Sequence, residues 1–435
     1  MRAQNSTKTV DNASQSVKLL VFRFVGKGGA AVRLSMNTRY AVIHASFWGA
    51  YGSLWAFIAL VLEYNGFASA QVGVVTSCAT LLSVFLSPAV SSFLDARPGL
   101  ENRHGAMALL TLAAALCLLV WLVPLPRPFV LGACFALIGA FLSSTPPFQN
   151  AMAMDANRCG IPVVYGFCRG VGSVSYAAAV LLLGFVLERH APTLLLPVFA
   201  ALTACGLLAM SGFRLPERPD EAADRPAEHR SIAAVLRSHP RFALTLLGCM
   251  FFFLTHTISN TYMNALVGKA GVEKAFESYL KGKAGGPASA VGTSLAISAV
   301  LELPAMTLVS RLQKRFSPGF FLRFAAGAEV VKFLIFYLAR SMPLIYLGQC
   351  MQFFQFAVYA PATVYYVAAA LPERDQLKGQ SLIYVAGSGL GGALGNLLGG
   401  RLLDRSGIQA ALLLGTVSAA ASLLTFCLST REDSR

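Results

Sequence analysis

Charge is scarce in this sequence. Of its 435 residues only 13% are Asp, Glu, Lys or Arg, against roughly 25% in soluble domains, so the chain cannot dress an ordinary water-facing surface. Acids are the rarer sign, 20 against 35 Lys and Arg. Missing too are H-E-x-x-H, G-x-S-x-G and the G-x-x-x-x-G-K-S/T phosphate loop, which removes the usual carriers of metalloprotease, serine-hydrolase and nucleotide-hydrolase chemistry. The chain is not expected to be an enzyme. Its nine cysteines contain no C-x-x-C, and Cys78, Cys117, Cys134, Cys205, Cys249, Cys350 and Cys427 sit in apolar runs, where cysteine behaves as a small hydrophobe. Neither a disulfide, a metal site nor a cofactor is expected.

What fills the chain is apolar sequence: 56% hydrophobic residues and a mean hydropathy of +0.61. Runs near the length of about 20 residues that crosses a bilayer fall at 40–63, 70–94, 104–123, 129–153, 166–187, 192–213, 242–267, 288–310, 319–339, 342–370, 379–402 and 408–429. These predict an all-α, multi-pass integral membrane protein of about twelve transmembrane helices. The net charge of +15 does not imply a nucleic-acid partner, because the basic residues follow the positive-inside rule. With a cytoplasmic N-terminus, the N-terminal arm, Arg97, Arg103, the run from Arg214 to Arg241, and Arg311, Lys314 and Arg315 all fall inside. Both termini are then cytoplasmic, in a plasma (inner) membrane. Lys269, Lys274, Lys281 and Lys283 are the exception, on a loop placed outside. The polar, basic segment 1–39 reads as a disordered arm, with Met36 as an alternative start. Its apolar patch "LLVFRFVG" is too short, and too broken by Arg23, for a signal peptide.

The chain also repeats itself. "ASAQVG" from Ala68 is echoed by "ASAVG" from Ala288, "GFVLER" from Gly184 by "GRLLDR" from Gly400, and Pro146 or Pro147 by Pro361. The echoes keep their order, which predicts two pseudo-symmetric six-helix halves, 40–213 and 242–429. A charged, proline-rich cytoplasmic linker, 214–241, joins them, with a short surface helix around 231–237, and 430–435 forms a tail.

Parallel halves with a site between them describe the major facilitator plan. Four stretches resemble the proton symporters around lactose permease, phenylpropionate permease and the nucleoside permeases: "FWGAYGSLWAFIALVLEYNGFASAQVG", "VYGFCRGVGSVSY", "LELPAMTLVSRLQKRF" and "GQSLIYVAGSGLGGALGNLLGGRLLDRSG". The resemblance runs from Tyr40 to the C-terminus and implies the major facilitator fold, with alternating access of a central site. In "SSFLDARPGLENR" the superfamily's loop signature is degenerate. Asp95, Arg97 and Arg103 keep its charge logic and are gating candidates, with simple loop charges as the alternative.

Ionisable groups at bilayer depth are expensive and are functional candidates by default. Arg169 matches the arginine that binds sugar in lactose permease-like proteins, where it pairs with an acid on the preceding helix. Here Gln149 and Asn150 stand at that depth instead, and the first acid is Asp155. Glu302, Glu329 and Lys332 are proton-coupling or salt-bridge candidates: a rise of 1.5 Å per residue puts both acids roughly 13 to 15 Å from their helix ends, and Glu329 and Lys332 share a face. Lys332 falls where related symporters carry a coupling arginine. Gln349, Gln352 and Gln355 replace the titratable groups of that family's tenth helix, and three-residue spacing stacks them for hydrogen bonding to a polar solute. His256 and Asn260, one turn apart, and Tyr51 and Trp55 complete the substrate-binding candidates.

A literal G-x-G-x-x-G at Gly387, Gly389 and Gly392 lies inside an apolar helix and follows no strand, so it is no dinucleotide cradle. Gly387, Gly391, Gly395 and Gly399 recur every four residues instead, a helix-packing seam. The expected function is secondary transport of a small polar organic solute of the sugar, nucleoside or aromatic-acid class, by proton symport, in a monomer whose partners are solute, protons and bilayer. The alternatives are a uniporter or exporter of an amphiphile, and a transporter-like receptor.

Overall fold

The structure, a computed structural model, describes residues 35–97, 99–123, 128–216, 232–272, 288–313 and 315–430. Most of the expected arm, part of the linker, the tail beyond 430, and Lys274, Lys281 and Lys283 lie outside the described residues. Among the described residues there is no strand. In a bilayer only helices and closed barrels satisfy every backbone group internally, so long apolar runs without period-two alternation settle as helices.

The N-terminal half holds α1 (Met36–Leu54) and α2 (Ile58–Tyr64), joined by a 3-10 turn at Trp55–Phe57, then α3 (Ser69–Asp95), α4 (Asn102–Leu122), α5 (Pro128–Ser144), α6 (Pro146–Arg158), α7 (Tyr165–Leu187) and α8 (Leu195–Ser211). A short α9 (Ile232–Ser238) precedes the C-terminal half. That half comprises α10 (Pro240–Thr261), α11 (Met263–Val267), α12 (Ala288–Leu312), α13 (Pro318–Leu338), α14 (Met342–Cys350), α15 (Phe356–Ala370), α16 (Glu373–Tyr384) and α17 (Gly392–Ser429). Prolines open α5, α6, α10 and α13, where the missing N–H costs nothing.

Among the described residues, ten segments are long and apolar enough to cross a membrane. One of them, Lys378–Ser429, contains two of the expected spans without a loop between them; Gly407, at φ 74°, is the only non-helical joint inside α17. Conversely α13 has the length of a span, but Arg323, Glu329 and Lys332 interrupt its apolarity. Outer faces stay apolar and open, with Phe85 73%, Phe129 86% and Leu208 73% exposed, a distribution suited to lipid rather than water.

Several boundaries move by a few residues, two helix starts among them. The first helix opens at Met36, not at 40, because residues 36–39 have work to do: Asn37 Oδ1 accepts from the Val164 backbone N–H at 2.8 Å. Helix α10 likewise opens at Pro240 rather than 242. The exceptional loop lysine Lys269 also finds a role, donating to the Phe336 and Tyr337 carbonyls at 2.9 and 2.6 Å. It thereby caps the open carbonyls at the end of α13. Burial, and Arg340 beside it, pull its pKa below the usual lysine range.

The repeated motifs mark where the halves meet. Added side chains at Gly73 and Gly400 would strike the Asn396 and Ser69 carbonyls, and at Gly184 and Gly292 those of Ala288 and Val180. Helix α3 therefore lies backbone to backbone on α17, and α7 on α12, at the end of the molecule away from the linker. Polar bonds reinforce that end. Asp404 accepts from the backbone N–H groups of Ser69 and Ala70 at 3.0 and 2.7 Å, Asn264 donates to Glu63 at 2.5 Å, and Tyr262 donates to the Asn396 carbonyl at 2.6 Å.

Candidate functional site

Above this closed end a cavity of about 380 Å³ lies between the halves. The N-terminal half lines it with Trp48, Tyr51, Trp55, Arg169 and Tyr176, and the C-terminal half with His256, Asn260, Glu302, Gln352, Phe356 and Asn396. Aromatic walls with a few converging polar groups are the usual make-up of a small-molecule site.

Two glycines seat the aromatic wall: a Cβ at Gly172 would strike Trp48, and one at Gly139 would overlap the Trp55 ring. Over the Trp48 ring, at 4.0 Å, lies the Arg169 guanidinium, whose Nη1 donates to Ser173 Oγ at 2.9 Å. The ring contact and one hydrogen bond hold the guanidinium in place. Among the described residues no carboxylate comes within ion-pair distance of it. Asp155, the first acid of α6, accepts instead from Asn102 at 2.8 Å.

Across the cavity three residues form a chain. Lys332 Nζ donates to Gln352 Oε1 at 2.9 Å, and Gln352 Nε2 donates to Glu302 Oε1 at 2.9 Å. An amide is the one neutral side chain that can face an ammonium with its oxygen and a carboxylate with its nitrogen. Glu302 and Lys332 thus meet through a glutamine bridge rather than directly. Glu329 is fully buried behind this chain, off the cavity wall, and neither of its carboxylate oxygens has a hydrogen-bond partner.

The other candidates divide. His256 stacks on Phe356, centroids 4.4 Å apart, and Asn260 donates to the His256 carbonyl at 2.8 Å; both line the cavity. Gln349 points at Met263 Sδ, 3.5 Å away, while Gln355 is buried with no hydrogen-bond partner for its amide. Neither lines the cavity, because a 3-10 turn at Met351–Phe353 and the irregular backbone of Gln355 (φ −98°, ψ −92°) break the register that would stack three glutamines. Gln149 is enclosed within the N-terminal half without a side-chain partner, and Asn150 accepts from Tyr165 at 3.2 Å; they too stand off the wall.

Around the α3–α4 turn the expected charge partners are engaged elsewhere. Arg97 lies 3.6 Å over the Phe93 ring and Arg103 pairs with Glu101 at 2.8 Å, leaving Asp95 exposed. The four seam glycines all face α10: added side chains would meet Phe253 at Gly387, the Met250 carbonyl at Gly391, the Leu254 carbonyl at Gly395 and Tyr262 at Gly399. The seam therefore lies inside the C-terminal half. A second face of the same helical run, through Gly389, Gly392, Asn396 and Gly400, carries the contact with the N-terminal half.

Trp48, Tyr176 and Asn396 escaped the sequence reading. Trp48 had a signal, standing one turn before Tyr51 on the same face. Asn396 had a weaker one, as the sole amide between Gly387 and Gly400; it accepts from Thr261 at 2.8 Å.

A family model, "MFS_1 like family", matches residues 37–414. Maltose permease of Geobacillus stearothermophilus is 25% identical over 414 residues, 94% of this chain and 97% of that one. Uncharacterized transporter YwbF of Bacillus subtilis (strain 168) is 21% identical, over 92% and 96%. Among solved structures, the nucleoside transporter NupG superposes with a TM-score of 0.73 at 14% identity, covering 92% of this chain and 100% of that one. A bacterial homolog of the human lysosomal transporter Spinster, inward-facing and unoccupied, gives 0.63 at 15% identity, over 91% and 96%.

Proposed function

The chain belongs to the MFS_1 like family and is a multi-pass secondary transporter of the major facilitator superfamily, not an enzyme; from this we propose that it imports a small polar organic solute by proton symport. The solute class is sugar, nucleoside or aromatic acid, and the halves expose the central site alternately to the two sides. The observation that carries the reading is the Glu302–Gln352 pair, backed by buried Lys332, on the wall of a cavity to which the other half brings Arg169. A carboxylate that shares a cavity with a cation of the opposite half, Arg169, can take up a proton when rocking carries that cation away, which ties protonation to movement of the halves.

A flat guanidinium stacked on indole, with Asn260 and Asn396 nearby, suits a ring bearing hydroxyl or carbonyl acceptors. The maltose permease relative and the nucleoside transporter neighbour support this class. The chain acts as a monomer in the plasma (inner) membrane with both termini cytoplasmic, which makes the closed end external. The six-helix halves lie at 40–213 and 242–429, apart from the helical starts described above.

Purified protein in liposomes tests this. Solute counterflow without a gradient measures exchange, and acceleration by an inward pH gradient measures coupling. Glu302→Gln is expected to retain counterflow and lose the acceleration; undiminished proton-driven uptake in that variant would remove Glu302 from the coupling role.

A further inference from the structure

On their membrane-facing side α7 and α12 separate. They touch near Gly184 and Gly292, and nearer mid-span an apolar crevice of about 320 Å³ lies between them. Buried Ala177, Ala296 and Ala299 form its floor, and Val174 and Val300, 60% and 59% exposed, form its lips. Ser173 is the one polar side chain in the lining.

Depth decides what meets these lips. At 1.5 Å per residue Ser173 is about 12 Å from the start of α7 and Leu181 about 9 Å from its end, well within a hydrocarbon core about 30 Å thick. Water at that depth would need several polar partners, and the lining offers one hydroxyl. The crevice borders the site, because Ser173 and Ala299 line the central cavity as well. Ser173 is the acceptor that holds Arg169.

We propose that the α7–α12 crevice binds an acyl chain of a bilayer lipid, which completes the side wall of the transport cavity. The small floor residues make a slot wide enough for a polymethylene chain, and filling it restores contacts that the lining would otherwise lack. Since the chain comes from a medium as apolar as the slot, contact alone holds it, and it stays exchangeable. The slot runs between the halves, so its width changes as they rock, and the lipid forms a wall that yields. Membrane insertion is all this requires; it does not depend on which solute crosses or on proton coupling.

The test is photolabelling of the full chain in liposomes of phosphatidylcholine with a diazirine near the acyl-chain end, read by peptide mass spectrometry. Adducts are expected on the floor, at Ser173, Ala177, Ala296 or Ala299, as well as on outer residues such as Leu182. Adducts confined to the lips and outer residues would overturn the proposal. Ala178→Phe and Val300→Phe, both at the exposed rim, are expected to abolish floor adducts while those at Leu182 persist; floor adducts that survive both would also overturn it.

Discussion

Lys332 is fully buried in a helix that touches lipid on its other side, and its hydrogen bond runs to an amide rather than to a carboxylate. That makes Gln352 the residue on which two charges depend. Gln352→Leu strands both the ammonium and Glu302, and a buried group left unpaired costs about 1–3 kcal/mol, more when charged. A clear drop in thermal unfolding temperature in detergent is expected, together with loss of proton-driven uptake. Arg169→Lys keeps the charge but loses the flat stack on Trp48; weaker solute binding with little change in stability is expected, measured by equilibrium binding and thermal unfolding. The charged members of this site were legible in sequence because a bilayer makes every ionisable residue conspicuous. Tyr176 was not, and Trp48 only through its one-turn offset from Tyr51, since aromatic residues are common in membrane helices and the fold decides which of them face a cavity. Gln349 and Gln355 misled for a local reason: helical spacing implies a shared face only while the helix stays regular, and the 3-10 turn at Met351–Phe353 ends that regularity.

At the scale of elements, α17 and the π-helical segment before it, Val385–Gly391, are closely packed on two sides. Toward α10 the small-residue run meets backbone at Gly391 and Gly395 but a side chain at Gly387. A ring can swing aside where a carbonyl cannot, so Gly391→Ala and Gly395→Ala are expected to destabilise more than Gly387→Ala, by about 1–3 kcal/mol for the overpacked pair. Ranking the three variants by thermal unfolding tests this order, and a larger loss for Gly387→Ala would contradict it. The four-residue period was plain in the sequence, yet which neighbour it faced was not. Period fixes a face of a helix, and only packing supplies its partner.

For the whole molecule, the internal echoes proved more informative than any single motif. "ASAQVG" and "ASAVG", with "GFVLER" and "GRLLDR", are the four segments at which the halves cross, so the repeat legible in the sequence is also the contact geometry. Asp404 is the acid of "GRLLDR" itself, and what the echo did not reveal is its partner: the carboxylate caps the start of α3 across the divide. Charge-assisted hydrogen bonds contribute about 1.5–3 kcal/mol, and Asp404→Ala is expected to move the balance toward the state open at that end by roughly tenfold or more. Distances between paired spin labels spanning α3 and α17 measure the shift; an unchanged distribution would mean the cap is incidental. Gly407 carries a last consequence. As the only joint between the last two spans, it leaves no slack chain there, so an epitope tag inserted after Gly407 is expected to abolish membrane-stable expression, unlike insertions at loop tips generally. The last span, with its far end tied to Arg323 through Thr430 at 2.8 Å, behaves as the stiff arm of a lever that shares its fulcrum with the helix before it.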